Sequence, residues 1–130
     1  MNRVALALVA SLAATAFLTI PALAHQTALS NGARVTLHVD PDDQPEAGRS
    51  SSIRVLKVAV PSRASFSFRS CGCRLKITNS AGTVLRDSRM KSRTSFTFPK
   101  SGAYRLTYSG SYRRSGNRKR FSASFAIRAY

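Results

Sequence analysis

The sequence predicts an all-β fold, a two-layer antiparallel β-sandwich of about seven strands. Three observations predict it. Apolar and polar residues alternate with a period of two in several short runs, the mark of strands with one buried face. Turn-forming Gly, Pro, Asn and Ser clusters separate those runs at the regular spacing of a sandwich. Beyond residue 24 no stretch carries helical periodicity. A closed barrel is the alternative architecture for the same pattern.

The amino end stands apart from this pattern. Asn2-Arg3 is a short basic start, Val4 to Ile20 is apolar, and Ala22 and Ala24 form an Ala-x-Ala cleavage motif. This reads as a secretory signal peptide over residues 1–24, leaving a β-sandwich domain over 25–130 and a periplasmic or secreted location. A retained membrane anchor is the other reading of the same run. Gln26 to Gly32 is polar and ends in an Asn-Gly turn signal. Ala33 to Asp40 alternates, with Ala33, Val35, Leu37 and Val39 on one face and Arg34, Thr36, His38 and Asp40 on the other. An acidic Pro- and Gly-containing loop follows from Pro41 to Ser52. Ile53 to Val60 is a second strand, stopped by Pro61.

Ser65 to Thr78 alternates on both sides of Cys71-Gly72-Cys73, and the two cysteines share the phase of Leu75 and Ile77. The glycine permits a bulge there. Asn79 to Gly82 is a turn, Thr83 to Arg86 a short strand, and Asp87 to Arg93 a basic loop. Thr94 to Phe98 points Phe96 and Phe98 inward. Ala103 to Ser109 does the same with Tyr104, Leu106 and Tyr108. Gly110 to Arg118 reads as a flexible loop of Gly, Ser and Arg. Lys119 to Arg128 closes the fold with Phe121, Ala123, Phe125 and Ile127 inward.

Two features of this pattern carry a resemblance. Val35-Thr36-Leu37-His38-Val39-Asp40-Pro41 followed by Pro45-Glu46-Ala47-Gly48-Arg49 and an apolar strand is similar to the opening of small periplasmic immunoglobulin-like proteins, the YtkA-like and FixH-like domains among them. Phe98-Pro99-Lys100-Ser101-Gly102-Ala103-Tyr104 resembles a hairpin common in such sandwiches. The resemblance implies an immunoglobulin-like fold in the periplasm and no particular activity.

Charge is the most unusual property of the chain. It holds 21 Lys plus Arg against 5 Asp plus Glu. Only Arg3 lies in the leader, so residues 25–130 carry 20 − 5 = +15. Asp40, Asp42, Asp43 and Glu46 share one loop, and Asp87 is the remaining acid. Such a field attracts lipopolysaccharide phosphates, anionic lipid or cell-wall polymer. Nucleic acid fits an exported protein less well. Two basic clusters are candidates to grip phosphate: Arg86, Arg89, Lys91 and Arg93, then Arg113, Arg114, Arg118, Lys119 and Arg120. A solvated face is the bland reading of both.

The second candidate chemistry is metal binding. Cleavage after Ala24 would make His25 the terminal residue, offering its α-amine and imidazole to one copper ion. His38 is the other histidine, and Asp40 shares its strand face. This is similar to the CopC-type copper carriers, which implies copper as a cofactor of His25, His38 and Asp40. Cys71 and Cys73 could hold Cu(I) as thiolates, form an easily exchanged disulfide, or serve as small core side chains. Arg69, Arg74 and Lys76 nearby would favour the thiolate. Catalysis is not expected. No nucleophile elbow, phosphate-binding glycine loop or paired carboxylates occur. The reading that results is an exported binding or accessory protein that binds copper, an anionic envelope component or a membrane partner protein, or that acts only as a structural module.

Overall fold

The computed structural model describes residues 25–130. The leader reading over 1–24 lies outside them. Nine strands form two antiparallel sheets, and no helix among the described residues is long and apolar enough to cross a membrane. The four-stranded sheet runs in the order β1 (Gln26–Ser30), β2 (Ala33–Val39), β3 (Ser50–Ala59), β7 (Arg93–Thr97). The five-stranded sheet centres on β8 (Gly102–Arg114). One edge of β8 pairs along its whole length with β9 (Asn117–Ala129). Its other edge pairs first with β5 (Arg74–Asn79), which pairs in turn with β6 (Val84–Arg89), and then with the two-residue β4 (Ala64–Ser65).

The core follows from the alternation. Val35, Leu37, Val39, Ile53, Leu75, Ile77, Phe98, Leu106 and Tyr108 are fully enclosed between the sheets. Burial of this kind is the main favourable term in folding. Two β-bulges keep the phase. Leu56 is the extra residue opposite Thr36 and Leu37, which keeps both Val55 and Val58 facing inward. Leu85 plays that part opposite Ile77 and Thr78. The buried Tyr104 hydroxyl donates to the carbonyl of Lys100 at 2.6 Å, holding the corner that leads into β8.

The two seams between the sheets are tied by side chains. At one, Gln26 Nε2 donates to the Ala126 carbonyl, Asn31 Nδ2 to the Arg120 carbonyl, and Ser30 Oγ accepts from the Ser122 amide. At the other, Arg86 donates to Ser95 O and Thr94 Oγ1 and lies over the Phe96 ring. These contacts occupy polar groups on strand edges that would otherwise offer pairing sites to other chains.

Four expectations are corrected. The strands among the described residues number nine rather than about seven. Gln26 to Ser30 is a strand, although its mixed polar residues hide the alternation. The basic loop from Asp87 is shorter than expected, because β6 runs on through Arg89. The flexible loop at 110–118 is a continuous hairpin whose turn is only Ser115-Gly116, both with positive φ (51° and 78°). Two such residues give the turn twist that suits a two-residue hairpin.

Gly110 shows how tightly the centre of β8 is packed. A Cβ there would lie 2.5 Å from Cys73 Sγ and 3.1 Å from Phe121 Cζ. We expect Gly110→Ala to lower stability by roughly 1–3 kcal/mol through overpacking, measured as a lower urea midpoint. The loss should shrink when Cys71 and Cys73 are both replaced by Ala. An equal loss in both backgrounds would show that the sulfur is not the obstacle.

Candidate functional site

The outward face of the five-stranded sheet is set by the residues between core positions. Because Leu75, Ile77, Leu106, Tyr108, Phe121, Phe125 and Ile127 point inward, their neighbours must point out. Those neighbours are Arg74, Lys76, Arg105, Arg120 and Arg128; Arg113 follows the inward Tyr112, register sets Arg89 beside Arg74 and Arg118 beside Arg113, and all eight are exposed. Ser109, Ser111, Ser122, Ser124 and Thr107 lie between them, with Thr107 Oγ1 and Ser124 Oγ 3.0 Å apart. The one carboxylate of this face is Asp87, which accepts from Arg74 Nε at 3.2 Å.

Register places some of these cations against each other. Arg74 sits directly opposite Arg89, and Arg113 directly opposite Arg118. Like charges facing each other across a ladder destabilise it. Among the described residues Arg89, Arg113 and Arg118 take part in no ion pair. The four loop acids are remote from this group. Their loop is fastened to the C-terminal strand end, where Ala47 N donates to Tyr130 O and Tyr130 N to Pro45 O. The hairpin turn at Ser115-Gly116 lies at the other end of β8 and β9. Twelve rungs of extended chain separate the two ends, about 40 Å.

The expected clusters are therefore only partly brought together. Arg89, Arg113, Arg118 and Arg120 share the outer sheet face. Arg114 and Lys119 point to the opposite side of the overhanging hairpin. Arg86 is occupied at the seam, and Arg93 faces out from the other sheet directly opposite Arg54, which reaches Asp40. Lys91 lies in the turn between β6 and β7. Arg74, Lys76, Arg105 and Arg128 were missed by reading runs of charge. The alternation of β5, β8 and β9 was the signal that could have found them.

Cys71 and Cys73 form a disulfide with each other. In that state they offer no thiolate to a metal. Both are buried, as their shared phase with Leu75 predicts. Ser111 N and Oγ both donate to Cys71 O, and Met90 N donates to Cys73 O. The Cys-Gly-Cys loop is thereby fixed to the middle of β8 and to the end of β6.

His38 is not the surface residue its polar-face phase implied. It is 7% exposed, because the loop after β2 folds over it. Its Nε2 lies 2.6 Å from Asp40 Oδ1, and its Nδ1 lies 3.4 Å from Asp43 Oδ1. Arg54 also reaches Asp40, at 3.3 Å. The His25 ring stands 6.5 Å from that of His38. Neither His38 Nδ1 nor Asp43 Oδ2 has a hydrogen-bond partner. Burial pushes the Asp43 carboxyl above its ordinary value of 3.8, against the opposing pull of the Val39 amide and His38. Asp43 was not among the expected ligands. Among the described residues no three His, Cys, Asp or Glu side chains are arranged to hold a metal ion.

No family model, curated protein or solved structure matches this chain.

The raised Asp43 pKa has a definite sign. A carboxyl that folding makes harder to ionise contributes most below its unfolded value and loses that contribution as pH rises through the folded one. The urea midpoint of the protein should fall relative to that of Asp43→Asn as pH climbs above 3.8. A constant difference between the two across pH 3 to 7 would show that Asp43 does not carry this burial penalty.

Proposed function

We propose that this chain is an exported binding protein, with residues 1–24 a signal peptide, and that the outer face of its five-stranded sheet binds an anionic component of the cell envelope. The observation that carries the reading is the directly opposed pair Arg113 and Arg118, neither in an ion pair among the described residues, together with Arg89 opposite an Arg74 whose Nε is already given to Asp87. An arrangement that repels itself in the free protein becomes favourable when an oxyanion sits between the two guanidinium groups. The remoteness of the four loop acids leaves that face cationic. Ser and Thr hydroxyls between the arginines add neutral hydrogen-bond donors.

An immunoglobulin-like arrangement of the sandwich agrees with two features. The strand neighbours β2-β3-β7 in one sheet and β9-β8-β5-β6 in the other follow the A-B-E and G-F-C pattern of such domains. The Tyr104 hydroxyl bonding back to Lys100 matches their tyrosine corner.

Copper binding is a second reading, favoured by the closeness of the His25 and His38 rings and the unpartnered Nδ1. A freed α-amine at His25 would supply the third nitrogen suited to Cu(II). Asp40 on Nε2 would orient the His38 ring for it. The cysteine pair would join as a Cu(I) site only after reduction by a thiol.

Two experiments test these readings. The protein should bind immobilised heparin, with affinity falling about a hundredfold or more between roughly 50 and 200 mM salt. Absent or salt-insensitive retention would remove the polyanion reading. For copper, the exported protein beginning at His25 should take up one Cu(II), and lose it in His38→Ala or when one residue precedes His25. Uptake unchanged by both alterations would remove the copper site.

A further inference from the structure

The surface around the Cys-Gly-Cys loop carries three depressions that share residues. The central one, of about 510 Å³, lies between Gly72 and the outer edge of β9 and is lined by Arg74, Arg118 and Arg120 together with serines of β8 and β9. Gly72 and Arg74 also line the second, of about 670 Å³, which adds Arg69, Arg89 and Lys91. Ser111 and Arg118 also line the third, of about 180 Å³, which adds Arg113 and the hydroxyls of Ser65, Ser67 and Ser70. No carboxylate lines any of the three.

The shared residues make the depressions one trough, bent around Gly72. Its cause is local. The partner of β8 changes from β5 at Ser109 to β4 at Arg113, and between them the Cys-Gly-Cys loop stands beside β8, accepting from Ser111 through the Cys71 carbonyl. A continuous strand in that place would have left a flat face. Opposed arginines fall at the two ends of the trough, Arg113 with Arg118 in the third depression and Arg89 with the Asp87-bound Arg74 in the second, where Arg69 and Lys91 add charge. A planar membrane surface would touch the exposed arginines of the whole face alike, Arg105 and Arg128 included. A bent, walled groove with a cation pair at each end suits a chain that can enter it.

We infer that the ligand is a linear polymer bearing sulfate or phosphate groups, that it lies along this trough, and that the cations at each end hold one oxyanion, Arg113 with Arg118 at one end and Arg89 with Arg69 and Lys91 at the other. The inference rests on the polyanion reading above and narrows it to one path and one kind of ligand. Guanidinium forks bind such groups bidentately. Serine hydroxyls in the central depression face the part of the polymer between two charged groups.

The test compares two double variants with the same loss of charge on the same sheet face. Arg118→Ser/Arg120→Ser removes trough cations. Arg105→Ser/Arg128→Ser removes cations at the opposite end of β8 and β9. All four side chains are exposed, and none takes part in an ion pair among the described residues. Three probes are used: a heparin-derived octasaccharide, linear polyphosphate, and vesicles of phosphatidylglycerol. The trough variant should bind the linear probes about tenfold or more weakly, the loss of directly hydrogen-bonded charge. The other variant should lose about threefold or less, the loss of screened surface charge. The response to the two linear probes identifies the oxyanion. Equal losses in both variants, or vesicles that displace the octasaccharide with equal sensitivity to both variants, would overturn the trough while leaving the polyanion reading intact. No binding of any probe at low salt would overturn both.

Discussion

The ladder between β8 and β9 governs the rest of the molecule. Every residue from Gly102 to Arg114 has a partner on β9, so the register of this hairpin cannot slip without turning its buried side chains to solvent. Tyr104, Leu106, Tyr108 and Tyr112 on one strand and Phe121, Phe125 and Ile127 on the other fix the inward face. The outward face is then fixed as well. Arg105, Arg113, Arg118, Arg120 and Arg128 have no freedom to choose a side. The charge that dominates the chain is therefore held on a rigid surface by the hydrophobic core, not by charge pairing.

The Cys-Gly-Cys loop acts on that ladder in a complementary way. It takes the place of a partner strand beside the middle of β8, closing the core with two sulfur atoms while accepting the Ser111 amide through one carbonyl. Gly110 is the accommodation made in return, since no side chain fits against Cys73 and Phe121. The same interruption that seals the interior opens the exterior. The surface concavity and the buried disulfide are two sides of one irregularity.

The alternation of β2, β5, β7 and β9 was legible in the sequence, as was the inward phase of Cys71 and Cys73. Other features needed partners to become visible. β1 has few apolar residues, and its pairing with β2 holds it in the sheet. The hairpin tip at 110–118 reads as a loop because its overhanging residues, 113–118, are exposed on both faces, which removes the periodic signal. His38 obeys the strand phase but is covered by its own downstream loop, an event that no alternation records. The opposed arginines were beyond the reach of sequence reading. Arg74 and Arg89 are fifteen positions apart, and their meeting depends on a register set by the hairpin between them.

The choice of cation bears on what the face is built to do. Of the 21 basic residues, 16 are Arg and 5 are Lys, and Lys91 is the only lysine lining the trough. For solubility alone, a hydrated ammonium would serve as well as a guanidinium. Guanidinium differs in its planar fork, which matches two oxygens of one sulfate or phosphate, and in its weaker hydration, which makes a close approach to the ligand less costly. Two forks facing each other across a ladder repel in the free state, and an oxyanion placed between them reverses the sign of that contact. Ligand binding to the folded state alone then raises its stability. On the proposed reading, the fold and an anionic ligand are coupled through Arg113 and Arg118: the core holds them together, and an anion would make their closeness favourable.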